Sequence, residues 1–433
     1  MAKRPTPHQI TTYVRSGPGG SAAAVSAEDV LWLAKERSDL YDSALKKLGH
    51  TMAEQAFKHS VDDVFQKYRD FTGPWIDRIN HPASRLLKAR LNAYESAWNA
   101  GMGDLRVDSS PDDARAVSER IARLYEGSGN LTEVQTLALR GQVESLWSRD
   151  VAGQTFEEVR GHPKNASLAK SWDRGALSYF NSNQVFERSR SAENIVGTVP
   201  EVATSKSAFV ISVDPVFFRI YAPMFLFNAQ QIPEVDLVLL VCAGADEAGE
   251  LIEESRQYLE ALSRMNKQNV PRNVHFHAFP VPDWVGDRTT FYACARFLAL
   301  PQILEQYEYV YSIDADLIMR YDPTAFFRKT AKVVLSFPHI AGSLGMVPWR
   351  RYMAGNLVAT QKLLGASFIG DLESYITAGL DQPRAWTLDQ NALAYAVERC
   401  DPGVYEPLEN YSRPLITSTF MNRWERNYVR ATR

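Results

Sequence analysis

Asp314 and Asp316 stand two positions apart at the end of a short run of apolar, aromatic and β-branched residues, Tyr309-Val310-Tyr311-Ser312-Ile313. Successive residues of a strand point to opposite faces, so positions i and i+2 point the same way and both carboxylates can converge on one ligand. Two hard oxygen donors suit a divalent Mg²⁺ or Mn²⁺ that also holds phosphate oxygens. The triplet is weak evidence by itself, because a chain of 433 residues is expected to hold about one Asp-x-Asp by chance. Its setting has to carry the reading.

That setting is a series of β-rich runs at 208–213, 237–242, 274–279, 309–313 and 333–337, with helical stretches between them, notably 247–267 and 290–305. Strands separated by helices predict an α/β fold, a mainly parallel sheet with helices on both faces. Ligands of such sheets bind beyond the carboxyl ends of the strands. Asp214 follows the first run and Asp314 the fourth, so both are predicted on that rim. Asp214-Pro215 also has the form of a helix N-cap and first turn.

The first half of the chain has a different texture. Residues 1–25 are rich in Pro, Gly, Ser and Ala and are expected to form a flexible N-terminal arm. Gly17-Pro18-Gly19-Gly20-Ser21 lacks the Lys-Ser/Thr and the preceding strand of a phosphate loop. Residues 26–190 read as an all-α helical domain. Ser26-Ala27-Glu28-Asp29 has the form of a capping box. Leu87, Leu91, Tyr94 and Trp98 recur at helical spacing and stop at Gly101. Ser110-Pro111-Asp112-Asp113 opens a further helix with the stripe Val117, Ile121 and Leu124, and a partner helix follows the break at 127–130. Residues 191–207 read as a linker and 208–433 as the α/β domain. No repeat at a fixed period points to a solenoid.

Composition narrows the function classes. Hydrophobic residues make up 45% and charged residues 23%, ordinary for a globular protein. A net charge of -3 gives no reason to expect a nucleic-acid partner. Eight His and three Cys (Cys242, Cys294, Cys400) are too few and scattered for a zinc cluster or a disulfide framework. The basic N-terminus lacks the apolar centre of a secretory signal, and no run of about 18 apolar residues forms a membrane span. A cytoplasmic location is expected, which leaves the sequons at Asn130, Asn165 and Asn410 without significance.

Further residues accumulate around the two acids. Tyr292-Ala293-Cys294-Ala295-Arg296-Phe297 and Leu300-Pro301 precede them; Ala354-Gly355-Asn356 and Asp389-Gln390 follow. This order of short motifs resembles glycosyltransferases of the GT-A fold, most of all glycosyltransferase family 8, the glycogenin and bacterial lipopolysaccharide galactosyltransferase group. The resemblance spans roughly residues 208–400 and leaves the helical half unaccounted for.

The resemblance implies a GT-A, Rossmann-like domain in which Asp314 and Asp316 bind Mn²⁺ or Mg²⁺ bridging the diphosphate of a nucleotide sugar, with a UDP-sugar as the expected donor. It places Arg296 near the diphosphate or the first Asp, and Val213 and Asp214 against the nucleoside. Gly355 and Asn356 would border the sugar pocket. Asp389 would bind sugar hydroxyls and Gln390 would lie under the anomeric carbon, so that Asp389, Gln390 and Arg296 form the catalytic set. Two departures stand out. The chain reads Ala-Gly-Asn where the family more usually has Asn-x-Gly. The tail also lacks the late His that supplies the family's third metal ligand; His339 is a candidate substitute, whereas His275 and His277 do not read as ligands.

The expected activity is thus a metal-dependent hexosyl transfer from a nucleotide diphosphate sugar to an acceptor hydroxyl of a glycan, a lipid-linked glycan or a protein, in bacterial glycan synthesis. The family likeness implies retention at the anomeric carbon. A general base such as Asp371, Glu373 or Asp389 would imply inversion instead. Acceptor recognition or self-association is the expected role of the helical domain. Two alternatives belong to other classes. A haloacid dehalogenase-like phosphohydrolase also has Asp-x-Asp after a strand, and Gly370-Asp371-x-Glu373 imitates its late acidic motif. A catalytically inactive, transferase-like interaction protein would account for the missing His.

Overall fold

A computed structural model describes residues 4–19, 25–58, 63–124, 127, 129–192, 195, 199, 203–319, 324–411 and 416–418. The chain divides into two compact units, Met1–Ser182 with Ala341–Arg351, and Asn183–Ile340 with Tyr352–Arg433.

The first unit is built from helices, the longest being Ser38–Lys58, Pro82–Asn99 and Leu131–Glu144. Their starts follow local chemistry. Ser26 and Asp29 form a reciprocal capping box, and Ser110 caps a helix that has Pro111 in its first turn. Leu87, Leu91 and Tyr94 are buried on the helix Pro82–Asn99, beyond which Gly101 takes a left-handed φ of 103°. The flexible arm expected over residues 1–25 is not what residues 7–16 form. Pro7–Ser16 is a helix opened by a Thr6–Gln9 capping box, and Ile10 and Val14 are fully buried in the unit's core. The apolar positions i and i+4 supply the burial that the surrounding Pro and Gly obscured.

The segment Ala341–Arg351, expected within the α/β domain, belongs to this first unit. Trp349 explains why. Its ring is completely buried, its Nε1 donates to Trp172 O at 3.0 Å, and it lies so close to Gly175 that a Cβ there would sit 2.1 Å from the ring.

Among the described residues the second unit carries nine strands: β1 Ser207–Val213, β2 Asp236–Val241, β3 Val274–Ala278, β4 Tyr309–Ile313, β5 Leu317–Met319, β6 Leu335–Phe337, β7 Asn356–Thr360, β8 Tyr405–Pro407 and β9 Ile416–Ser418. Seven form one sheet in the order β3-β2-β1-β4-β7-β6-β8, while β5 and β9 pair antiparallel by themselves. β3, β2, β1 and β4 run parallel, as do β6 and β8; β7 runs antiparallel to both its neighbours. The α/β class with a mainly parallel sheet is therefore observed, with β7 as the reversed strand.

Every residue of β2, β4 and β7 is buried, as a sheet covered on both faces requires. One face packs Phe209, Ile211, Leu237, Leu239 and Tyr311 against the helices Pro215–Gln231 and Ala245–Asn266. The other carries the helix Arg288–Leu298, itself packed on Phe368–Gly379 and Leu388–Arg399.

Candidate active site

The carboxyl ends of β1 and β4 open into a cavity of about 360 Å³ that lies entirely within the second unit. Val213, Asp214, Arg296, Asp314, Asp316, Gly355, Asp389 and Gln390 all line it. These residues span 178 sequence positions (213 to 390), and parallel strand packing brings them to one rim.

Arg296 is the best-anchored member. Only 2% of its side chain is exposed, on the last turn of the helix Arg288–Leu298. Nη1 lies 2.5 Å from Asp314 Oδ1 and donates to Ile313 O at 3.2 Å, while Nη2 donates to Ala354 O at 3.1 Å. One guanidinium thus ties the end of β4 to the turn that enters β7 and fixes the orientation of the Asp314 carboxylate. The Asp314 side chain is 43% exposed, facing the cavity. Its backbone N–H donates to Gly355 O at 3.1 Å, and a Cβ at Gly355 would meet Asp314 Oδ2 at 2.4 Å. Only glycine leaves room there.

Asp214 serves two roles. It caps the helix Pro215–Gln231, its Oδ1 accepting from Val216 N at 2.7 Å and Phe217 N at 3.1 Å, while the residue also lines the cavity. Asp389 lies in the first turn of Leu388–Arg399, where its Oδ1 accepts from Gln390 N at 2.9 Å. Burial pushes its carboxyl above the usual range; Arg296 opposes that shift and Asp314 adds to it.

The donor set bears on a metal ion. Asp314 and Asp316 present carboxylate oxygens to one cavity, the hard chemistry that Mg²⁺ and Mn²⁺ prefer. Among the described residues no group of three His, Cys, Asp or Glu side chains is arranged for a metal, and the sequence holds no His beyond His339. Such a pair could hold a divalent cation that takes its remaining ligands from outside these two side chains.

Several sequence expectations land elsewhere. Asn356, expected to border the cavity, does not line it. It is buried in β7, and its Oδ1 accepts from Tyr311 Oη at 2.9 Å. His339 forms a bridge to Tyr352 outside the cavity. Asp371 pairs with Arg399 at 3.0 Å, also outside it. His275 pairs with Asp236 at 3.0 Å on the amino-terminal side of the sheet, away from the cavity.

Phe217, Thr289, Thr290 and Thr387 line the cavity without having been singled out. Thr289 is seven residues before Arg296, a helical spacing that offered a signal. Phe217 follows Asp214 by three residues and Thr387 precedes Asp389 by two, so nearness to a predicted site residue was the signal for each.

No family model matches the chain, and no curated protein matches it. Among solved structures the chain is similar to the apo structure of WbbM, a bifunctional glycosyltransferase, at 14% identity and a TM-score of 0.31, covering 46% of this chain and 39% of that one. It is also similar to the apo form of mouse xyloside xylosyltransferase 1, at 13% identity and a TM-score of 0.30, covering 47% of this chain and 85% of that one.

Proposed function

We propose that the second unit is a metal-dependent glycosyltransferase that moves a sugar from a nucleotide diphosphate sugar, a UDP-sugar, to an acceptor hydroxyl. The observation that carries this reading is the convergence of Asp214, Arg296, Asp314, Asp316, Asp389 and Gln390 on one cavity at the carboxyl rim of the sheet. Asp314 and Asp316 would hold Mn²⁺ or Mg²⁺, which when bound neutralises charge on the departing nucleoside diphosphate. Arg296 keeps the Asp314 carboxylate oriented. Asp214 has Oδ1 occupied by two backbone N–H groups and offers Oδ2 to a base N–H or ribose hydroxyl. Asp389 and Gln390 face the sugar, where the Asp389 carboxyl can bind sugar hydroxyls. Retention at the anomeric carbon follows from the family resemblance and belongs to the same proposal.

The phosphohydrolase reading loses its second acidic motif, because Asp371 is engaged with Arg399 outside the cavity. Acceptor recognition or self-association is proposed for the helical unit. No helix among the described residues is long and apolar enough to cross a membrane.

The test is nucleotide release from UDP- and GDP-sugars with and without Mn²⁺. Metal-dependent release of UDP that falls by at least about 100-fold in Asp316→Asn is the expected result. Phosphate release from phosphomonoesters would favour the hydrolase. Absence of nucleotide binding by calorimetry with either metal would overturn the transferase reading.

A further inference from the structure

Thr387 occupies the position before the first residue of the helix Leu388–Arg399 with φ 79° and ψ 14°, in the left-handed region. A β-branched side chain is rarely found there, and such a conformation persists only where surrounding structure imposes it. Threonine at this position usually has extended backbone, and its hydroxyl accepts from the N–H two or three residues on. Neither holds here. Gln390 N donates to Asp389 Oδ1, Leu388 N donates to Ala385 O, and the Thr387 hydroxyl makes no capping bond.

The side chain is therefore left over from the helix's own needs. Thr387 is only 7% exposed, lines the cavity, and its Oγ1 is buried without a partner. Gln390, one helical turn on and lining the same cavity, has a buried Oε1 that is also without a partner. Buried polar atoms are nearly always paired, so two orphans on one cavity wall point to a ligand. A hydroxyl able to donate or accept, beside an amide oxygen that only accepts, matches a ligand hydroxyl.

We infer that Thr387 is a specificity-determining residue whose hydroxyl, together with Gln390 Oε1, binds a sugar hydroxyl of the nucleotide-sugar donor, an inference that rests on the transferase reading. On the transferase reading the nucleotide is held by Asp214, Asp314 and Asp316, which line the same cavity. Thr387 consequently acts on the sugar's contribution to affinity and not on the nucleotide's.

The experiment measures Kd by calorimetry with Mn²⁺ for UDP, UDP-glucose, UDP-galactose, UDP-N-acetylglucosamine, GDP and GDP-mannose. The quantity compared is the affinity ratio of the best sugar nucleotide to its own nucleotide. Thr387→Val keeps the shape and the strained backbone but removes the hydroxyl, and should lower that ratio about tenfold. Thr387→Ser should retain it. Thr387→Gly relieves the left-handed strain, so it should raise the melting temperature while lowering the ratio; a merely structural threonine would not separate the two. This glycine variant also serves if the valine variant fails to fold. A ratio unchanged in Thr387→Val or Thr387→Gly, with nucleotide binding intact, overturns this inference and leaves the transferase reading standing. Failure of the wild-type protein to bind any of the six compounds overturns both.

Discussion

An alanine at position 355 would place its Cβ 2.4 Å from Asp314 Oδ2 and 3.1 Å from Asp314 Cγ. Neither partner can yield freely. The backbone spacing is set by Asp314 N donating to Gly355 O, and the other carboxylate oxygen is held by Arg296 Nη1. The carboxylate would have to rotate away from the ligand-facing orientation while the strands remain paired. Gly355→Ala is therefore expected to melt within a few degrees of wild type, whereas turnover of a UDP-sugar falls by about 100-fold, the scale of a 1 Å misplacement. Turnover equal to wild type, with Mn²⁺ dependence unchanged, would show that Gly355 is not what positions Asp314. Much of this was legible in the sequence, since Asp314, Gly355 and Arg296 belong to short motifs in a recognisable order. Asn356 was not, because its partner Tyr311 lies on the neighbouring strand, and only the pairing of β4 with β7 reveals that the amide is already engaged.

Strand β2 begins with a carboxylate that organises the opposite rim of the sheet. Asp236 is fully buried and accepts from Thr204 N at 2.7 Å, Thr204 Oγ1 at 2.6 Å and Tyr307 Oη at 2.9 Å, with His275 Nε2 at 3.0 Å. Three segments are thereby stapled to β2: the approach to β1, β3 itself, and the approach to β4. Asparagine there would keep the shape but turn one acceptor oxygen into a donor. Asp236→Asn should cost about 2–4 kcal/mol in urea unfolding, since several buried donors lose a charged partner; a loss below about 0.5 kcal/mol would mean that the network is incidental. The same element shows where sequence reading stops. β1 to β4 were readable as apolar runs bounded by turns and helices, but the acid facing His275 was not, because it lies 39 residues earlier. β7 and β8 also escaped, being five and three residues long without a distinctive pattern. The helix Pro7–Ser16 did leave a signal in Thr6-Pro7-x-Gln9, a capping box that Pro- and Gly-rich neighbours concealed.

Two separately packed units imply two responses to acid, because each contains its own perturbed group. In the first unit His50 is half-buried against Trp172, with ring centroids 5.0 Å apart. Burial, with the cations Arg350, Lys47 and Arg174, lowers its pKa to about 4. An unfolded chain protonates this residue near pH 6.5, so the unfolded state binds the extra proton first. Stability contributed by neutral His50 is complete above about 6.5 and is lost as pH falls toward 4. Its slope is below the limit of about 1.4 kcal/mol per pH unit, since a half-exposed ring is screened by water. Asp173, in the same unit, has the opposite sign. Burial raises its pKa, so its contribution weakens as pH rises above the ordinary carboxylate value. In the second unit burial works against the ionised form of Asp236, but hydrogen bonds from His275, Thr204 and Tyr307 prevail and hold its pKa below the ordinary value of 3.8. Its contribution persists above that pH and disappears only below it. The first unit is thus expected to weaken at milder acidity than the second. Six of the nine tryptophans (Trp32, Trp75, Trp98, Trp147, Trp172 and Trp349) belong to the first unit, so tryptophan emission follows mainly that unit. Melting followed by emission between pH 7 and 4 should show a downward slope in the wild type that is reduced in His50→Gln and retained in Asp236→Asn. Subtracting the two histidine-site curves removes the Asp173 contribution, which both proteins share. Parallel curves for wild type and His50→Gln across that range would rule out His50 as the source of the first unit's acid sensitivity.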